Sequence, residues 1–198
     1  MWGMSARQDV HVAELVLGQP EAVATLVAGS LVLGAVGFAV ARWRRWPAIP
    51  AVLAGCGLAL ALAVTLARTG GTFTLVTVDP VGRCVGNGFS LAGSWERLNL
   101  LVLVPFAFFA TVACRRPLPV FAVSALVSGG VELVQAATAI GVCEAQDFCN
   151  NTIGALVAAV VAWLFVGLIA PGRRGGGRPG GGRVSRPRRP VPPTPAAR

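Results

Sequence analysis

The sequence predicts an all-α fold, a polytopic membrane helix bundle of five transmembrane helices with the N-terminus outside and the C-terminus inside. Three observations carry that expectation. The 198 residues are 55% hydrophobic and only 13% charged, with a mean hydropathy of +0.69, whereas a soluble domain carries about 25% charged residues. Five stretches reach or approach the roughly 20 apolar helical residues needed to cross a hydrocarbon core of about 30 Å. Five such stretches in a chain of this length leave no polar shell to bury them as core helices.

Residues 1–21 form an extracytoplasmic segment with Asp9, Glu14 and Glu21 against Arg7 alone. That is the wrong charge for the n-region of a signal peptide, so the first apolar run is expected to stay in the mature protein. The transmembrane domain spans 22–170, with helices at about 22–41, 48–67, 98–114, 118–140 and 150–170 and an outer loop at 68–97. With the N-terminus outside, the inner segments carry 13 arginines and the outer ones four, which satisfies the positive-inside rule. Trp43 and Trp46 fall at the inner boundary, where indole rings favour the headgroup region. Small residues recur one turn apart in three helices: Ala51, Gly55, Ala59, Ala63 and Ala67; Ser124, Ser128, Glu132 and Ala136; Asn150, Gly154, Ala158 and Ala162. Such rows let helix backbones approach closely in lipid.

The formal charge of +9 is concentrated in the tail: residues 171–198 hold 8 arginines, 7 glycines and 7 prolines and no acid. This cytoplasmic tail is expected to be disordered and to touch anionic lipid headgroups, each arginine contributing about 1 kcal/mol near the surface. No nucleic-acid partner is expected.

The polar residues at membrane depth carry the functional reading. Glu132 lies about 21 Å from the inner edge of its helix at a rise of 1.5 Å per residue, in the outer half of the bilayer. An acid there costs roughly 2.5–3.5 kcal/mol on insertion scales, against about 0.3–0.6 recovered per leucine, so it should face the bundle and have a partner. Gln135 shares its helical face. Asn99 is expected to open the third helix, Asp147 and Asn151 the fifth, with Glu96 and Arg97 just ahead of the third. Alternating topology gathers Asn99, Glu132, Gln135, Asp147, Asn151, Arg97 and Glu96 at one outer level. They serve either as helix caps and interhelical stitches or as a pocket for a lipid headgroup or other amphiphile. A metal site is not expected, since the single histidine, His11, is remote and the carboxylates lack ligand spacing. No cofactor motif and no Gly-x-Ser-x-Gly elbow is present. Cys84 and Cys143 lie in outer loops, where thiols oxidise, and are the preferred disulfide. Cys84 with Cys149 is the alternative.

Asn99-Leu-Leu-Val-Leu-Val-Pro-Phe106, Glu132-Leu-Val-Gln135, Gly141-Val-Cys-Glu-Ala-Gln-Asp147 and Asn151-Thr-Ile-Gly-Ala155 together resemble the VanZ-like family of bacterial membrane proteins. The resemblance covers about residues 95–165 and implies a multi-pass protein of the bacterial cytoplasmic membrane. The family's founding member is associated with low-level resistance to teicoplanin. By similarity the partners are membrane lipids together with cell-wall lipid precursors or lipophilic glycopeptides. Family members often carry an arginine after the loop glycine, where this chain has Val142; if that arginine pairs with a pocket acid, either Arg97 or Arg83 substitutes for it here or the site is altered. A non-enzymatic binding protein that modulates envelope or glycopeptide susceptibility is the first expectation. The alternatives are a transporter using Glu132 as a protonatable group and a membrane enzyme acting on lipid-linked phosphates.

Overall fold

The computed structural model describes residues 18, 20–66, 84–138 and 142–169. The segment 1–17, most of the outer loop and the arginine-rich tail, including Arg83 and Ala67, lie outside the described residues. Six helices follow in order: α1 (Pro20–Arg44), α2 (Ala48–Leu66), α3 (Ser94–Val102), α4 (Val104–Cys114), α5 (Pro117–Thr138) and α6 (Ala145–Ile169). α3 and α4 are two parts of one span, Ser94–Cys114, so five spans are long and apolar enough to cross a membrane.

Pro105 explains the division. Its nitrogen cannot donate to the Leu101 carbonyl and its ring crowds that group, so regularity fails at Leu103, which remains a buried core residue. The kink is seated on α2. A Cβ at Gly57 would stand 2.7 Å from the Phe106 nitrogen, so only glycine admits the backbone of α4 so closely.

Side chains are sorted by size rather than polarity. Ala107, Ala155, Ala159 and Ala162 are fully buried, while Leu31, Ile49, Leu126 and Leu168 are more than 70% exposed. In water that outward apolar surface would drive aggregation; in lipid it meets a matching solvent, and close packing of small residues holds the helices together. The small-residue rows of α2, α5 and α6 are buried throughout their described lengths. α6 is central, packing on α3, α4 and α5, while α2 joins α4 and α1 packs chiefly against α2.

Two short turns lie at one end of the bundle. After α1, the Trp46 N–H donates to the Ala41 carbonyl (2.9 Å) with Arg45 left-handed (φ 56°), a Schellman closure in which Trp46 packs near Ala41. After α4, Arg115 (φ 58°) turns the chain into α5. Arg42, Arg44, Arg45, Arg115 and Arg116 therefore share this end. The polar residues of interest share the other, where α2 and α5 end and α3 and α6 begin.

Candidate functional site

At that second end the principal structural problem is the start of α6. The first N–H groups of any helix lack intrahelical acceptors, and here two distant parts of the chain, α5 and the loop ahead of α3, supply them. The Glu144 N–H donates to the Glu132 carboxylate (2.8 Å), the Ala145 N–H to the Val85 carbonyl (3.0 Å) and the Gln146 N–H to the Asn87 side-chain oxygen (3.0 Å). Asn87 also donates to the Glu144 carboxylate at 3.0 Å.

The loop that provides Val85 and Asn87 is fastened by a Cys84–Cys143 disulfide, with Cα atoms 4.6 Å apart. The Val85 N–H donates to the Cys143 carbonyl (2.8 Å), making a short parallel bridge between Val85 and Glu144. Cys149, the alternative partner for Cys84, is a free thiol in the first turns of α6.

Glu132 is 7% exposed and sits at the positive end of the α6 dipole. Its partner is thus a backbone N–H as well as a favourable field, which accounts for an acid at membrane depth. One turn before it, Ser128 accepts from the Asn151 side-chain nitrogen at 3.2 Å, joining α5 to α6. Gln135 donates to the Thr65 carbonyl at 3.2 Å, joining α5 to the end of α2. Asn150 is fully buried and donates to the carbonyls of Ser90 (3.0 Å) and Glu96 (3.1 Å), fixing α6 against the start of α3.

The remaining predicted residues are distributed around this frame. Asn99 does not open its helix. α3 starts at Ser94 after Gly93, and Asn99 is a buried residue in its interior. Glu96, at the third helical position, folds its carboxylate back over Gly93, where a Cβ would collide with it. Arg97 donates to the Leu91 and Ala92 carbonyls (3.0 and 3.2 Å) and to the Ser94 hydroxyl (3.2 Å), so much of its guanidinium serves the turn ahead of α3. α6 starts at Ala145, five residues before 150, which places Asp147 in its first turn and Asn151 one turn further in. Val142 is exposed. Asn87, Glu144 and Thr65 were not anticipated from the sequence. The turn dipeptide Asn87-Gly88 and the acids Glu144 and Asp147 were the available signals for the first two.

Three side-chain oxygens here meet no donor among the described residues: Oε1 of Gln135 and Oδ1 of Asn150 and of Asn151. All three residues are at least nine-tenths buried. The hydroxyls of Thr111 and Thr152 are likewise unpartnered. A buried polar atom left unpaired costs about 1–3 kcal/mol. Chemically, the amide oxygens and the Glu132 carboxylate offer acceptors, a set suited to hydroxyl, amide or ammonium donors.

The disulfide should matter to α6 in particular. The chain-entropy argument gives on the order of 4 kcal/mol for a loop of this size in a soluble chain, an upper bound where the membrane already restrains both ends. Cys143→Ser should lower the unfolding temperature in detergent and speed amide exchange at Ala145 and Gln146 more than in the middle of α6. Alkylation without reductant should label three cysteines of the intact protein and five after reduction.

Residues 71–166 match the VanZ/LLP1 family model, which identifies a VanZ-like region reaching from ahead of α3 into the last turn of α6. Neither a curated protein nor a solved structure gives a significant match.

Proposed function

We propose, from the premise of a VanZ-like multi-pass membrane protein, that its buried polar end binds the donor-rich headgroup of an amphiphile without chemical turnover. The observation that carries the reading is the three acceptor oxygens on Gln135, Asn150 and Asn151, buried at the same end of the bundle as the Glu132 carboxylate and without donors among the described residues. A purely structural set of stitches would gain from pairing both ends of each amide, since every orphaned oxygen costs stability. A ligand bearing hydroxyls, amides or an ammonium would pair them. The arginine excess at the opposite end supports an outward-facing polar end. There, lipid-linked cell-wall precursors and lipophilic glycopeptides of the bacterial cytoplasmic membrane are ligands of the right chemistry. Modulated envelope or glycopeptide susceptibility is the consequence.

Glu132→Gln tests the cellular side of this reading. Glutamine keeps the shape and an oxygen to accept from the Glu144 N–H, and interhelical bonds in membranes average only about 0.6 kcal/mol, so abundance should be near normal. Cells carrying the variant should lose any protection against a teicoplanin-type glycopeptide at equal protein level. Protection that instead tracks abundance across variants would reduce Glu132 to a structural stitch. Orientation is tested separately, in a background that retains the disulfide but lacks Cys56, Cys114 and Cys149. In intact cells Ser94→Cys should react with a membrane-impermeant thiol reagent and Arg42→Cys should not. The reverse pattern would move the polar end to the cytoplasmic face.

A further inference from the structure

At the arginine end, α1 and α5 do not close on each other, and a groove of about 370 Å³ remains between them, floored by α2 and α4. That volume falls within the roughly 300–1,000 Å³ of small-molecule sites. The floor is mostly small residues, including Ala54, Gly55 and Ala110, with Leu58 and Phe106 also lining it, while Val36 of α1 and Val123 of α5 form its sides. Small floor residues deepen the groove, and its nearly continuous apolar lining suits a hydrocarbon chain.

The mouth has a different character. Arg44 and Arg116 are the charged residues of the lining, and each stands beside a turn between helices. Arg44 is the last residue of α1 beside left-handed Arg45, and its guanidinium lies over the Trp43 ring, 4.8 Å from the centroid. Arg116 follows left-handed Arg115 in the two-residue connection to α5, where its carbonyl accepts from the Cys114 thiol at 3.5 Å. Residues 42–58 and 104–123 contain no aspartate or glutamate, so the sequence around the groove offers no internal counter-charge. Two arginines from different turns thus line one apolar slot, the combination by which basic sites between transmembrane helices hold lipid headgroups.

We propose that this groove is a seat for one anionic phospholipid, its phosphate held by Arg44 and Arg116 through charge-assisted hydrogen bonds and one acyl chain lying between Val36 and Val123. The site is separate from the polar end, draws on other residues, and stands whether or not that end binds an amphiphile. It is separate as well from the diffuse attraction of the arginine tail, because it requires both the charge pair and the slot.

The test uses the full chain, purified in a non-ionic detergent and examined by native mass spectrometry with added phosphatidylglycerol or phosphatidylcholine. One phosphatidylglycerol per chain should persist at collisional energies that strip phosphatidylcholine. Arg44→Gln with Arg116→Gln should cut the retained fraction at least tenfold. Arg173→Gln with Arg174→Gln, an equal loss of charge from the tail, should leave it within twofold. Val36→Phe with Val123→Phe fills the slot at two already exposed positions, keeps both arginines, and should also cut retention at least tenfold. Equal loss from the tail variant would show general electrostatic attraction and overturn the proposal. So would unchanged retention in the double-phenylalanine variant, which would mean that no acyl chain is seated, or unchanged retention when both arginines are replaced.

Discussion

Gly154→Leu is expected to destroy the folded bundle, while Gly130→Leu and Gly167→Leu leave it standing. A Cβ at 154 would fall within the van der Waals envelope of the Leu100 carbonyl, so α3 and α6 must separate to admit it. Overpacking in a tight interior typically costs about 1–3 kcal/mol when side chains can give way. Here the obstacle is backbone, and the cost should exceed that range. Separation also strains Asn150, one turn away, whose two bonds tie α6 to Ser90 and Glu96. At Gly130 and Gly167 nothing among the described residues lies within 4 Å of an added Cβ, and leucine improves helix propensity by somewhat under 1 kcal/mol. Membrane abundance and a thermal melt in detergent give the comparison. A Gly154→Leu protein as abundant and as stable as the Gly167→Leu control would mean that α3 and α6 do not pack backbone to backbone.

Asn150→Asp should be nearly as damaging, although it exchanges one group for another of the same shape. The amide nitrogen of Asn150 serves two carbonyls from a fully buried position. Aspartate removes both donors and turns a carboxylate oxygen toward two carbonyl oxygens. Two lost bonds at about 0.5–1.5 kcal/mol each, together with the desolvation of carbonyls left unpaired, predict a loss of about 3–5 kcal/mol. Asn150→Leu should lose less. It abolishes the same bonds but adds no charge, and it deletes the orphaned Oδ1. The expected order of unfolding temperatures is wild type, then leucine, then aspartate. An aspartate variant more stable than the leucine variant would contradict the bonding at this position.

These sensitive positions differ in how visible they are in the sequence. Gly154 stands in a row with Asn150, Ala158 and Ala162, and one-turn spacing of small residues is legible because lipid-embedded helices associate through it. The rows of α2 and α5 are equally readable and are buried in the structure. The spans themselves follow from hydropathy. Hydropathy, however, marks only where the chain becomes apolar, and so it misses the polar first turns of α3 and α6. Ser94–Arg97 and Ala145–Cys149 are helical although polar; at α6 long-range acceptors satisfy the first N–H groups. Asn87 serves Gln146 across a separation of 59 residues, a pairing that local pattern cannot disclose. Glu132 shows the same boundary from the other side. Its need for a partner is plain from the cost of an acid in lipid, but that a partner is the Glu144 N–H emerges only once α6 is known to begin there.

The reading of the polar end as a binding site is tested most directly by what the purified protein carries. Native mass spectrometry should find one donor-rich amphiphile per wild-type chain, distinct from any anionic phospholipid that Arg44→Gln with Arg116→Gln removes. Gln135→Leu with Asn151→Leu sacrifices one bond at each position and deletes one orphaned oxygen at each, so thermal stability should change by no more than about 1–2 kcal/mol. The predicted result is a stable double variant that no longer carries the amphiphile. A wild-type protein that carries none, or a double variant that retains it at wild-type occupancy, would contradict the account.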